Sequence, residues 1–367
     1  MTTGSWCTTP GHWNAAAAST SPSRAASSSR TGARALASDL PEADLRLLDA
    51  WQHGFPLTSR PFALLGACVG LDQATVLDRF RQWRREGVVS RIGPVLHQAC
   101  FASALVAMQV PPQRLDAVAA YVTRLPEVNH NYEREHALNL WFVAACRDRD
   151  ALERLLARIA QETGCRPLAL PMEAGYHIDL GFSLSSPERR AASVETARRI
   201  RLPPAGSAAE ALLHAAQDGI ELSARPYRRL GRVAGLREED VLRRLGQWQR
   251  DGVFRRFGVV LRHRRLGFRA NAMCVWDVDD AAVDALGARL GAEPGVTLCY
   301  RRTRSLPHWP YNLFCMIHGK ERDAVLALRA EIAARLGLDA WAHAVLFSTR
   351  CFKQRGARLA IEERTHG

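Results

Sequence analysis

The chain repeats itself, and that repeat limits the fold more than any other feature of the sequence. Leu47-Leu48 returns as Leu212-Leu213, Arg60-Pro61 as Arg225-Pro226, and Gly70-Leu71 as Gly235-Leu236. Gln82-Trp83 returns as Gln247-Trp248, Gly87-Val88 as Gly252-Val253, and Arg91 with Gly93 as Arg256 with Gly258. The spacing is constant, and roughly half of the positions from Leu47 to Leu96 are identical without a gap. Further on the match loosens. Val128 and Tyr132 align with Val296 and Tyr300, and Asn139-Leu140 aligns with Asn312-Leu313 after an insertion, Ser305-Leu306-Pro307-His308-Trp309. The chain therefore consists of two homologous halves, near 41–186 and 206–358.

Each half opens with a helical module. In the first, Ala43 to Trp51 reads as a helix, and a second starts at Arg60-Pro61 and ends at Gly70. Asp72 can cap a third, Gln73 to Glu86, which Gly87 stops. Val76, Leu77, Phe80 and Trp83 recur at helical spacing and belong to a core. Val88-Val89 and Ile92-Gly93-Pro94-Val95-Leu96 read as the two strands of a wing, completing a winged helix-turn-helix pattern. A βαββαβ unit follows, with strands 105–110, 128–135, 138–145 and 165–170 and helices 112–125 and 150–163. The second half repeats it, with strands 272–278, 296–302, 311–318 and 340–347 and helices 281–290 and 322–336. The expected fold class is α+β: a tandem repeat of winged helix-turn-helix and ferredoxin-like domains. The boundaries expected are 41–98 and 99–186 in the first half, a linker over 187–206, then 207–265 and 266–358. Two ferredoxin-like sheets in one chain can pair as a pseudo-dimer, and a homodimer of the whole chain stays open.

Composition narrows the class of function. The formal net charge of +13 over 367 residues attracts polyanions, either nucleic acid or a small ligand with many carboxylates. The nine cysteines are scattered, with no C-x-x-C pair. That fits reduced thiols in the cytoplasm, not a disulfide scaffold or a zinc site. No apolar run approaches a membrane span. Residues 1–40 carry a single acidic residue, Asp39, among Ser, Ala, Thr and Arg, and are expected to form a disordered tail. Their composition is also similar to that of a transit peptide, although no amphipathic face supports one.

One stretch stands out chemically: His130-Asn131-Tyr132-Glu133-Arg134-Glu135-His136, followed by the apolar run Leu138 to Val143. His130, Tyr132, Arg134 and His136 are two apart, so an unbroken strand puts them on one face. Such a face is poor core material, because each buried polar group needs a partner. It suits a pocket. The second copy, Val296-Thr297-Leu298-Cys299-Tyr300-Arg301-Arg302, lacks both histidines.

A winged helix-turn-helix joined to a ferredoxin-like module resembles the Lrp/AsnC family of regulators. The motifs resemble something narrower. The His130–His136 stretch with Asn139-Leu140-Trp141-Phe142-Val143 is similar to the D/G-type subunit of siroheme decarboxylases. Trp309-Pro310-Tyr311-Asn312-Leu313-Phe314 with Met316, His318 and Gly319 is similar to the L/H-type subunit. So are Asn271-Ala272-Met273 with Val275-Trp276-Asp277-Val278, and Leu346-Phe347-Ser348-Thr349-Arg350 with Phe352-Lys353. A D-type half followed by an L-type half resembles the fused enzymes of heme d1 biosynthesis. Cys351 departs from this pattern where an acidic residue is usual, and Leu298 departs where many relatives carry histidine.

The resemblance implies a carboxy-lyase that removes the acetate carboxyls at C12 and C18 of siroheme, leaving methyls. No added cofactor is implied, because the iron belongs to the substrate. Siroheme carries eight carboxylates around a flat macrocycle. Its recognition calls for an arginine-rich rim, since a guanidinium grips a carboxylate bidentately. The candidates for that rim are Arg91, Arg134, Arg256, Arg301 and Lys353, with Tyr132, Tyr300 and Tyr311 as further contacts. The macrocycle can hold the electron pair left when CO2 departs, so the protein must orient the acetate and deliver a proton. Histidine suits that task near neutral pH, and His130 and His136 are the candidates. The resemblance also implies G-type and H-type homologous subunits as partners, and leaves open whether one chain suffices.

Two other readings compete. A DNA-binding regulator would use Gln73–Arg85 and Glu238–Arg250 as recognition helices, with Arg79, Arg81, Arg84 and Arg85 on phosphates. Asp72, Asp78, Glu86, Glu238, Glu239 and Asp240 oppose that, so DNA is not the expected partner. A carrier that binds siroheme without chemistry would need the same rim.

Overall fold

The computed structural model describes residues 40–178, 200–204, 206–262 and 270–358. Nearly all of the expected tail and linker lies outside them.

The first half runs α1 (Glu42–Asp49), α2 (Pro61–Val69), α3 (Gln73–Arg85) and β1 (Val89–Leu96). It continues with β2 (Ala102–Met108), α4 (Leu115–Arg124), β3 (Val128–Arg134), β4 (Leu140–Cys146), α5 (Arg149–Thr163) and β5 (Leu168–Ile178). The second half runs α6 (Ala208–Gln217), α7 (Pro226–Ala234), α8 (Glu238–Arg250) and β6 (Phe254–Leu261). It continues with β7 (Ala270–Trp276), α9 (Val283–Gly291), β8 (Val296–Arg302), β9 (Leu313–Gly319), α10 (Arg322–Leu336) and β10 (His343–Gln354). The local signals act as expected. Asp72 accepts a 2.9 Å hydrogen bond from the Thr75 amide at the start of α3, and Gly70 closes α2 in the left-handed region at φ 71°.

The wings differ from expectation. Among the described residues neither half has a two-stranded wing. Each contributes one continuous strand, and β1 pairs antiparallel with β6 of the other half, with Gly93 opposite Gly258. The two helical modules thereby share one ribbon and one core, which joins Phe62 and Phe80 to Leu213, Tyr227 and Phe257.

The second layer is a closed barrel, in the order β10-β3-β4-β2-β5-β8-β9-β7. Each half supplies an antiparallel ferredoxin-like sheet, and the last strand of each runs longer than its sequence pattern suggests. Leu168–Pro171 of β5 pairs with β2, after which Met172–Ile178 pairs with β8 of the other half. Likewise His343–Phe347 of β10 pairs with β7, and Ser348–Gln354 pairs with β3. These two crossings close the barrel. Alternate residues face the helices outside, where Val106, Phe142 and Ile159 form one core and Trp276, Leu290 and Ile332 another. The opposite residues, including Leu105, Trp141, Met273, Phe314 and Leu346, fill the interior. Burying one such side chain contributes about 1.5–3 kcal/mol, so the three clusters fix the layers firmly.

No described helix is long and apolar enough to cross a membrane.

Candidate active site

Between the β1–β6 ribbon and the mouth of the barrel lies a cavity of about 410 Å³. Its floor is the barrel interior, with Leu105, Trp141, Met273, Tyr300 and Met316. Its rim is cationic. The ribbon supplies Arg91, Arg255 and Arg256, with Arg262 just beyond it. The barrel supplies Arg134 and Arg302, and Arg355 follows β10. Two histidines, His130 and His318, add to the polar lining, and no described aspartate or glutamate takes part.

The alternation of β3 explains part of the polar set. His130, Tyr132 and Arg134 face the cavity, whereas Asn131 faces the helices and donates to the Ala119 carbonyl at 3.1 Å. The His130 and Tyr132 rings stack at 6.2 Å. His130 Nδ1 lies 3.0 Å from Asn129 Oδ1. Because that oxygen can only accept, the proton is on Nδ1. Burial holds the His130 imidazolium down, to a pKa of about 4.

β8 mirrors β3. Arg134 donates to the Leu346 carbonyl at 2.8 Å, and Arg302 donates to the Leu170 carbonyl at 2.7 Å. Each guanidinium lies over the tyrosine two residues earlier, at 5.6 Å from Tyr132 and 4.5 Å from Tyr300. Burial lowers the pKa of Arg302. Arg91 is buried with its Nη1 unpaired, and its pKa falls to about 10, first from burial and then from Arg358. Arg256 donates to the carbonyls of Gln52 and Val259. Guanidiniums held on carbonyls, or with one nitrogen open, keep their charge for a ligand.

Two models of known families match the chain. An AsnC-like ligand binding domain matches residues 98–176 and 265–353, and a siroheme decarboxylase NirDL-like HTH domain matches residues 44–89 and 209–255. The siroheme decarboxylase NirDL subunit of Paracoccus denitrificans is 43% identical over 319 residues, covering 86% of this chain and 97% of that one. The chain belongs to the NirDL family of siroheme decarboxylases. The NirL subunit of Stutzerimonas stutzeri is 56% identical over 144 residues, 39% of this chain and 85% of its own. A crystal structure of the siroheme decarboxylase NirDL in complex with an iron-uroporphyrin III analogue superposes with a TM-score of 0.63 at 28% identity. That match covers 87% of this chain and 93% of the other.

Against this NirDL frame, six of the ten residues expected from sequence line the cavity: His130, Tyr132, Arg134, Arg91, Arg256 and Tyr300. Four do not. β3 ends at Arg134, so His136 leaves the alternation. It is exposed, packs edge-on to Trp309 at 5.5 Å, and accepts from the Leu138 amide. Arg301 is one residue out of phase with the cavity face of β8 and reaches Glu173 at 2.7 Å and Asp280 at 3.3 Å. Arg302 takes the inward place instead. Tyr311 precedes β9 and packs edge-on to Trp309 at 4.9 Å. Lys353 lies within β10 and donates at 2.7 Å to the carbonyls of Thr123 and Leu125, capping the end of α4.

His318 stands in the L/H-type motif but was not among the residues expected at the site. The repeat holds the signal that would have found it. His318 pairs with Asn271 across β9 and β7, and the matching pair in the first half is Ala145 with Ser103. An imidazole standing where the sister copy has alanine, on an inward position, marks a site.

Proposed function

We propose that this protein is a carboxy-lyase that removes the C12 and C18 acetate carboxyls of siroheme as CO2, giving 12,18-didecarboxysiroheme for heme d1 synthesis. The observation that carries this is the cavity itself: among the described residues, seven arginines and two histidines stand above an apolar floor, with no acidic side chain in the lining. A flat macrocycle ringed by carboxylates has the complementary chemistry. Nucleic acid fits less well, since the wing strands are committed to each other and Arg79 and Arg81 of α3 pair with Asp44 and Asp78.

The chemistry follows from charge. Arginines on the rim orient the ligand by its carboxylates. The C–C bond to one carboxylate breaks, CO2 leaves, and the electron pair is delocalised into the macrocycle. A proton then joins the carbon, leaving a methyl group, with no net oxidation or reduction and no added cofactor. His130 is the proton donor in this reading. In the empty cavity it is neutral near pH 7, because burial penalises its charge. A bound polycarboxylate reverses that penalty, so substrate and proton arrive together. Both halves contribute to one cavity, which supports activity from the single chain. G-type and H-type subunits would then be dispensable partners, and the setting is the cytoplasm.

The test is anaerobic incubation of the purified chain with siroheme, then mass spectrometry of the extracted tetrapyrrole. Loss of two CO2 is the expected result. Unchanged siroheme would overturn the single-chain enzyme.

A further inference from the structure

The second half holds a chain of hydrogen bonds that the first half lacks. Asn271 Nδ2 lies 2.8 Å from His318 Nε2, and Asn271 Oδ1 lies 3.4 Å from Arg134 Nη2. On the other side of the ring, His318 Nδ1 lies 2.8 Å from Thr297 Oγ1. The Thr297 hydroxyl donates to the Met316 carbonyl at 3.0 Å.

The direction of these bonds follows from what each group is able to give. A guanidinium only donates, so Asn271 turns its oxygen to Arg134 and its amide N–H to His318 Nε2. The Thr297 hydrogen is committed to a carbonyl, so its oxygen accepts from His318 Nδ1. The imidazole is therefore neutral, with its proton on Nδ1 and its Nε2 lone pair held by Asn271. In the first half the places of Asn271 and His318 are taken by Ser103 and Ala145, and no such chain forms.

We propose that Asn271 is a positioning residue that fixes the orientation and tautomer of His318 and couples it to Arg134 of the other half. Arg134 and His318 then respond as a unit. A ligand carboxylate that captures Arg134 displaces the Asn271 oxygen. The released carboxamide can rotate and offer that oxygen to Nε2, which then holds a proton taken from solvent. Anion capture by the first half thus raises the basicity of an imidazole in the second. The titratable and charged groups facing the same cavity are His130, Tyr132 and Arg134 on β3, Tyr300 and Arg302 on β8, Arg91, Arg255 and Arg256 on the ribbon, Arg262 just beyond it and Arg355 after β10; among the described residues no carboxylate faces it. A ligand carboxylate therefore brings negative charge that the described lining lacks.

The relevance to catalysis rests on the decarboxylase reading, but the geometry does not, and the test separates the two. The ligand-free full chain is labelled with 15N-histidine, and the His318 signals are identified by their loss in His318→Gln. In the wild type, Nδ1 is expected to be protonated and Nε2 bare near neutral pH. Asn271→Leu should mix the two tautomers. Asn271→Asp places a carboxylate between Arg134 and Nε2 and should hold the imidazolium to a pH at least about one unit higher. With siroheme, Asn271→Leu should lower kcat about tenfold and shift its pH profile, with KM changed less than about threefold. A wild-type ring protonated on Nε2, or an Asn271→Asp ring that titrates as the wild type does, would overturn the proposal, whatever happens to CO2 release. Should Asn271→Leu fail to fold, the wild-type and Asp titrations decide alone.

Discussion

At the scale of single residues, burial and charge pull in opposite directions, and that conflict makes predictions. Arg91 is a buried cation with an open Nη1. Arg91→Leu should therefore raise the melting temperature of the empty protein, because an uncompensated charge is removed. The same change should weaken siroheme binding by about ten- to a hundredfold; thermal unfolding and absorbance titration measure the two effects. His130 adds a pH dependence. Its folded pKa of about 4 lies below the ordinary value of 6.5, so between these values the unfolded chain binds more protons. Its contribution to stability is complete above pH 6.5 and is lost as pH falls towards 4. The melting temperature of His130→Gln should fall less steeply across that window. In the enzyme, His130→Gln should still bind siroheme but release CO2 about 10²- to 10⁴-fold more slowly. His130, Tyr132 and Arg134 were legible because strand alternation is a strictly local rule. His136 was misplaced because nothing in Glu135-His136-Ala137 announces where the strand stops. Arg302 was passed over for Arg301 because two adjacent arginines give no phase; only the register of β8 does.

At the scale of elements, the helices follow their local signals closely, and α10 begins and ends where its pattern places it. The two copies differ at one cap. Asp72 caps α3, whereas Arg237 stands at the same place before α8 and makes no side-chain cap. Replacing Arg237 with Ser should stabilise the fold by about 0.5–1 kcal/mol, and Asp72→Ala should cost about 1 kcal/mol, both readable by denaturant titration. The strands were less legible. Ser90-Arg91 reads as a break between two wing strands, yet β1 runs straight through it and on through Pro94. In a two-stranded ribbon every second N–H points off the edge, so the proline is tolerated. The far ends of β5 and β10 were missed for a different reason. Their partners belong to the other half, and pairing over such a distance leaves no periodicity in the local sequence.

At the scale of the whole molecule, the halves depend on each other. Separated, each would expose the free ends of its strands and an open sheet edge, a known route to aggregation. Residues 1–190 or 200–367 expressed alone should fail to stay monomeric, whereas the two expressed together should recombine into one siroheme-binding particle on a sizing column. Gly258 sets how closely β6 approaches the chain that follows α1. It lies opposite Gly93 on the ribbon, and a Cβ there would overlap the Gln52 carbonyl. Gly258→Ala should cost more than about 2 kcal/mol and loosen both modules together.

The repeat also has a consequence for how a ligand is oriented. A vessel made from two identical halves would accept an unsymmetrical disc in either of two opposed settings with equal ease. Here the halves agree on Tyr132 and Tyr300 and on Arg134 and Arg302, but differ where His130 is matched by Leu298 and His318 by Ala145. The agreement supplies grip on both sides, and the disagreement makes the two settings unequal. Fusing the copies into one chain makes that inequality heritable as a single unit, so each molecule presents the same edge of its ligand to the same imidazole.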